Sequence, residues 1–298
     1  MELRVLKYFL AVAREENITA AAQSMHVTQP TLSKQLKELE DELGTQLFIR
    51  GNRKIILTED GIFLRKRAQE ILDLAEKTET ELKESDEMIC GEINIGGGET
   101  DAIRILAKVV KQITKEYPLI HFHLYSGNAN DVIDRLDCGL LDFGILIEPV
   151  DLNKFDFQKL PATDTWGLLM RKDSPFATKN SIKQEDLIDL PLLCSNQTLV
   201  KNELSGWAGI DFDKMNIIVT YNLIFNASIM VQEDVGYALC LDKLINTTGD
   251  SNLIFKPLEP PLVVGLDIVW KKYQVFSKAS KIFLARLQES IAKETAHF

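Results

Sequence analysis

The sequence predicts a small all-α head, with one short hairpin, carried on a larger α/β body. Three observations lead to that reading. Up to about residue 88, apolar residues recur at the three-and-four spacing of buried helix faces. From Glu92 onward, short apolar strands alternate with helical segments, the order that builds a mostly parallel sheet covered by helices. The charge is also divided: residues 1–68 hold 11 Lys+Arg and 9 Asp+Glu, whereas residues 69–298 hold 23 and 35.

The first helix spans residues 2–14, with Leu3, Leu6, Phe9, Leu10 and Ala13 on one face, and Glu15-Glu16-Asn17 breaks it. Two further helices lie between Thr19 and Leu43. Ala20, Ala21 and Met25 line the first, Val27 sits in the turn, and Leu32, Leu36, Leu39 and Leu43 line the second. Thr28 is placed to cap that second helix, and Pro30 falls in its first turn, where a missing N–H costs little. Thr28, Gln29, Pro30, Thr31, Ser33, Lys34 and Gln35 remain at its exposed start. Hydrogen-bonding side chains with one cation suit base edges and phosphates in a DNA major groove. An ordinary antiparallel helix pair shows the same pattern. The segment after Gly44 favours the DNA reading: Leu47-Phe48 and Ile55-Ile56-Leu57 flank a turn bearing Arg50, Arg53 and Lys54, a hairpin with cations at its tip.

From Phe9 to Gly61 the chain resembles the winged helix-turn-helix of LysR-type transcriptional regulators. Phe9, Ala20, Ala21, Gln29, Pro30, Ser33, Leu39, Glu40, Leu43, Gly44, Leu47, Phe48, Arg50, Thr58 and Gly61 carry the likeness. It is weaker over 92–298, resting on L-D-F-G-I at 141–145, W-G-L-L-M-R-K-D-S-P at 166–175 and V-Q-E-D-V-G-Y-A at 231–238. The resemblance implies a head at 1–60, a dimerising linker helix at 61–90, and an effector-binding domain of periplasmic-binding-protein type at 91–298. Its lobe I would comprise 91–161 and 267–298, and its lobe II 162–266.

The segment from Gly61 to Met88 has no internal Gly or Pro, and Ile62, Leu64, Ala68, Ile71, Leu72, Ala75 and Leu82 mark an apolar stripe. Antiparallel pairing with a second copy would cover such a seam and set two heads on a roughly two-fold symmetric site. The basic run Arg65-Lys66-Arg67 is either a phosphate contact or a solvated face. In the body, strands are expected at 92–96, 120–125, 141–147, 165–171, 217–221, 253–258 and 266–270, with others ending at Cys194 and spanning Val235–Leu241. Helices are expected at 102–117, 130–136, 200–208, 227–233 and 277–292.

Ligands of such sheets sit beyond the C-terminal strand ends. This places Gly98, Glu99 and Thr100 of the glycine-rich loop at a cleft between lobes, with Ser126, Asn128 and Glu148 beside them. Ser195, Asn196, Gln197 and Asn226 would approach from the second lobe. The family often binds small acids at a hydroxyl in Thr100's position. Glu99 and Asp101 would oppose an anion, and no cation falls among these positions, which leaves a neutral or cationic effector open.

No nucleophile elbow, phosphate loop or H-E-x-x-H motif occurs, so no catalytic residue is assigned. His121 and His123 read as the face of a strand rather than a metal pair. Cys90, Cys138, Cys194 and Cys240 read as buried thiols; no metal site and no cofactor is expected. No run is long enough to span a bilayer and no secretory signal is recognisable, so a cytoplasmic protein is expected. The expected partners are double-stranded DNA, a small-molecule effector and further copies of the chain as homodimer or homotetramer, with RNA polymerase a further candidate. The alternative is a two-lobe sensor whose head docks protein rather than DNA.

Overall fold

In the computed structural model the described residues are 1–50, 54–83, 89–196, 204–209 and 214–295. They fall into two compact units, Met1–Glu84 and Ser85–Phe298. Helix α4, expected from sequence as a separate linker, groups with the head in this division.

The head contains α1 (Leu3–Glu15), α2 (Ile18–Ser24), α3 (Gln29–Leu43), the hairpin β1 (Phe48–Arg50) and β2 (Ile55–Leu57), and α4 (Glu59–Lys83). Its core joins Leu6, Phe9, Val12, Ala21, Leu32, Leu36, Leu39, Leu47 and Ala68, all nearly inaccessible to solvent. Burying a side chain such as Phe9 stabilises the fold by about 1.5–3 kcal/mol. Local signals set the boundaries. Glu16 turns into the left-handed region at the end of α1, and the Asn17 side chain accepts the Ala20 N–H at 3.0 Å to start α2. Thr28 accepts from Thr31 at the start of α3, and Gly44, with φ of 68°, closes it.

One carboxylate fixes the hairpin to α3. Glu40 Oε1 accepts the N–H groups of Leu47 at 2.8 Å and Phe48 at 3.2 Å. Gly61 lies so close to the Leu47 carbonyl oxygen that a Cβ would collide with it.

Three apolar stripes differ from the sequence reading. Helix α1 touches α2, α3, α4 and β2, so its buried face is broad: Val5, Leu6, Tyr8, Phe9, Ala11 and Val12. Leu3 is 44% exposed, and Leu10 and Ala13 are only partly covered. Leu43, in the last turn of α3, is 42% exposed. On α4, Leu64 and Ala68 face the head core, whereas Ile62 and its neighbour Phe63 face solvent. The side chain of Leu82 lies outside the described residues.

In the body, the first lobe has three parallel strands, β3 (Gly91–Gly97), β4 (Ile120–Ser126) and β5 (Phe143–Ile147), with helices α5 (Ile103–Glu116) and α6 (Ala129–Asp137) between them. The second lobe has parallel β8 (Leu192–Ser195), β9 (Ile217–Tyr221) and β10 (Tyr237–Leu241), with α7 (Ile224–Gln232) preceding β10. Short β7 (Ile182–Lys183) pairs with β11 (Leu253–Glu259).

Two long strands connect the lobes. β6 (Phe155–Arg171) and β12 (Val263–Lys271) pair antiparallel with a register shift between Gly265 and Asp267. The sheet order is β4-β3-β5-β12-β6-β10-β8-β9, so two parallel blocks are separated by antiparallel strands. This departs from a mostly parallel sheet. The sequence reading also began β6 at Thr165, because Phe155–Leu160 alternates buried and exposed positions weakly and carries Asp156, Gln158 and Lys159. The last helix, α8 (Lys278–Thr295), packs on α5 with Phe283 and Leu287 in the first-lobe core.

Of the helix expected at 200–208, residues 204–208 are helical and 200–203 lie outside the described residues. Cys194 and Cys240 are buried, but Cys90 and Cys138 are only partly covered. His121 and His123 are exposed on β4, with His123 3.6 Å from Glu92. Among the described residues no group of three potential ligands could hold a metal, and no helix is long and apolar enough to cross a membrane.

Replacing Glu40 by Ala leaves two hairpin N–H groups without that acceptor and should destabilise the head by roughly 1–3 kcal/mol. Gln at this position keeps an acceptor oxygen and should retain most of the stability. Chemical denaturation followed by circular dichroism checks this, and equal stability of the Ala variant and the parent chain would contradict it.

Candidate functional site

On the head, the α3 start is a polar surface above an apolar floor. Gln29, Pro30, Thr31 and Lys34 are exposed, and Ser33 and Gln35 are half-buried. The floor is Leu32 and Leu36, at most 1% exposed. Thr28 Oγ1 lies 2.8 Å from Thr31 Oγ1, so these two hydroxyls form one cap. Gln35 donates to Glu38 at 2.7 Å, and Lys34 lies 3.7 Å from the same carboxylate. The wing differs in how much of it is available. Lys54 is bound at 2.8 Å by Glu16, whose hydrogen bond and charge raise the lysine pKa and lower that of the glutamate. Arg53 and the Arg50 side chain lie outside the described residues.

One cavity of the body lies where the two lobes meet. It has about 850 Å³ of atom-free space including its open mouth. Gly98, Glu99 and Glu148 line it from the first lobe and Ser195 from the second. The sequence reading missed Trp166, Tyr221, Asn222, Ile224, Cys240 and Leu241, which also line it. These sit on elements whose apolar pattern was legible. What was missing was the position of the crossing strands that turns their ends inward.

The other sequence candidates have different surroundings. Thr100 is 5% exposed; its Oγ1 donates to Asp164 at 2.6 Å and accepts the Ala102 N–H at 3.1 Å. It lines a second, larger and more open cavity of about 1160 Å³ with Ser126, not the 850 Å³ cleft. Arg104 and Lys243 border that second cavity, each held by a carboxylate: Asp101 at 2.6 Å and Asp242 at 3.3 Å. Asn128 caps α6, accepting from Asp131 at 3.0 Å, and does not line the interlobe cleft. Asn196 is exposed and gives its N–H to the Tyr221 carbonyl. Asn226 is exposed in the first turn of α7. Gln197 lies outside the described residues.

Besides the Thr100–Asp164 hydrogen bond, a second contact spans the lobes. Leu223 caps α7 without a side-chain acceptor, and the Ile224 N–H instead donates to Glu99 Oε2 at 2.5 Å. A carboxylate here satisfies an orphan donor and meets the positive end of the helix. Beneath the cleft, Glu148 is bound by Lys159 at 2.9 Å. Neighbouring Asp267 is buried, one of its oxygens having no partner among the described residues. Burial and then the charge of Glu148 raise the Asp267 pKa, against the opposing pull of Lys159. Burial likewise pushes up the Tyr221 hydroxyl and the Cys240 thiol, which keeps both protonated.

A helix-turn-helix head with a hairpin, joined to two α/β lobes around a cleft, defines a class of ligand-responsive DNA-binding protein. The family model for bacterial regulatory helix-turn-helix proteins of the lysR family matches residues 3–62, and that for the LysR substrate binding domain matches 87–292. The chain belongs to the LysR family and is a transcription regulator with a DNA-binding head and a substrate-binding domain.

Among curated relatives, the HTH-type transcriptional regulator BsdA of Bacillus subtilis (strain 168) is 32% identical over 194 residues. That match covers 65% of this chain and 66% of BsdA. The Hca operon transcriptional activator HcaR of Escherichia coli (strain K12) is 27% identical over 304 residues, covering 99% and 100%. Among solved structures, full-length CbnR complexed with its target DNA shares the fold with a TM-score of 0.73 and 20% identity, covering 97% of this chain and 100% of that one.

Burial is the main cause of a raised Asp164 pKa; the Thr100 hydrogen bond opposes it and Asp242 adds to it. Thr100→Val should therefore destabilise the body by roughly 1–3 kcal/mol at neutral pH, read as a lower melting temperature. The folded carboxyl holds its proton more tightly than an unfolded one, so its contribution to stability falls as pH rises above the ordinary value of 3.8. The stability of the parent chain relative to Asp164→Asn should accordingly improve as pH is lowered from neutral. A difference independent of pH would contradict the burial argument.

Proposed function

We propose that this chain acts by binding rather than turnover, as a cytoplasmic homodimer or homotetramer that sets two heads on a roughly two-fold symmetric promoter site. The polar row Thr28–Gln35 at the start of α3 carries this reading. Each α3 enters a major groove with Gln29, Thr31 and Ser33 toward base edges and Lys34 toward phosphate. Arg50, Arg53 and Lys54 of the wing serve the adjoining backbone. The exposed pair Ile62 and Phe63 on α4 supports a role for that helix in self-association.

A small molecule in the interlobe cleft biases the lobe geometry, and through it the spacing of heads on DNA or their contact with RNA polymerase. Domain limits of 1–60, 61–90 and 91–298 remain part of this proposal.

Binding to duplex DNA should weaken steeply with salt, and Lys34→Ala should lower the logarithmic salt slope by about 0.9 per lost phosphate contact. That change should weaken specific and random DNA alike, whereas Gln29→Ala should lose discrimination between them. Glu16→Gln releases Lys54 and should tighten binding to any duplex at low salt by roughly two- to fivefold. Fluorescence anisotropy on promoter and random duplexes measures all three. Absence of preference for any duplex over random sequence at moderate salt would sink the regulator reading in favour of a head that docks protein.

A further inference from the structure

Resting on the reading of the interlobe cleft as the effector site, we propose that it takes a small organic amine with an apolar body, and that Glu99 excludes carboxylic acids from it. The cleft has an apolar and aromatic wall that includes Trp166, Tyr221, Leu241 and Ile224. Its charged lining among the described residues consists of two carboxylates, Glu99 and Glu148, with no Lys, Arg or His.

An acid entering this cleft would look first for backbone N–H groups. The Ile224 N–H, at the positive end of α7, is one such donor, and Glu99 already takes it at 2.5 Å. The protein therefore supplies from its own first lobe the carboxylate that an acidic ligand would bring. A second anion beside Glu99 meets like charge in a partly desolvated space, where repulsion is stronger than in water.

An ammonium group meets the opposite situation. Lys159 is the cation held at Glu148, and it sits beside two carboxylates, since Asp267 is buried next to Glu148 with an oxygen unpartnered among the described residues. Around Glu148 the carboxylates thus outnumber the cations among the described residues. Trp166 and Tyr221 line the same cleft, and aromatic rings, negative over their faces, are a second feature that attracts ammonium groups. A primary ammonium has three N–H donors, and one of them can bond Glu99 while that carboxylate keeps its contact to Ile224, because each carboxylate oxygen accepts more than one hydrogen bond.

The test is isothermal titration of the full chain, without DNA, against size-matched pairs of opposite charge: benzylamine with benzoate, phenethylamine with phenylacetate, and hexylamine with hexanoate. At least one amine should bind roughly tenfold more tightly than its acid partner. Glu99→Gln keeps an acceptor for Ile224 but removes the charge, and should bring that pair to within about threefold of each other. Melting curves of parent and variant confirm that both are folded.

The proposal is overturned if acids bind the parent as tightly as their amine partners, if no amine binds, or if the amine preference survives in Glu99→Gln. Anisotropy with duplex DNA, run on the same preparations, judges the regulator reading separately. A chain that binds no DNA but ranks amines over acids would refute that reading and keep this one.

Discussion

The body depends on the antiparallel pairing of β6 with β12. Each strand runs from one lobe into the other, so this pair connects two sheets that are otherwise built from local parallel units. The register shift between Gly265 and Asp267 falls in the middle of that connection. Gly265 faces the Glu148 carboxylate so closely that a side chain would displace it. The bend of the sheet, the end of β5 and the floor of the cleft are thereby fixed by the same few residues. A β-bulge increases local twist and bends its strand, which is how a continuous sheet can present two lobes around a cavity.

Several carboxylates of this chain act as fasteners within the fold, while most others stay on the surface. Glu40 ties α3 to the hairpin through two backbone N–H groups, and Asp142 accepts the Asn94 N–H at 2.8 Å to bind β5 to β3. Asp164 anchors Thr100 across the lobes, and Glu99 does the same for the start of α7. Hydrogen bonds with a charged acceptor are shorter and stronger than neutral ones, and those of Asp142, Asp164 and Glu99 join segments distant in sequence. The acidic balance of the body is therefore partly structural, and it leaves the cleft with negative rather than positive polar groups.

Much of this was legible in the sequence, and the parts that were not share a physical cause. The caps at Asn17, Thr28 and Gly44 are local signals, so the head's element boundaries follow from short-range chemistry. The stripe on α1 was misjudged because four neighbours cover it, and a single-face pattern underestimates a helix packed on several sides. Helical period also placed Leu43 and Ile62 inward, yet tertiary context leaves both exposed. In the body, strand positions could be read from apolar runs, but β6 was read ten residues short because a bridge between lobes lacks a uniform burial pattern.

The cleft shows the same limit. Glu99 was noticed for its charge, but its partner is 125 residues away, and nothing local announces that pairing. Thr100 was singled out for its hydroxyl, which is occupied by Asp164, 64 residues distant. The protein's own Glu99 carboxylate bridges the lobes at Ile224. Amide hydrogen exchange at Ile224, measured by NMR in the parent chain and in Glu99→Ala, tests it most directly. The account predicts slow exchange in the parent and markedly faster exchange in the variant, with the amides of β8 and β10 unchanged. Equal exchange of the Ile224 amide in both proteins would contradict it.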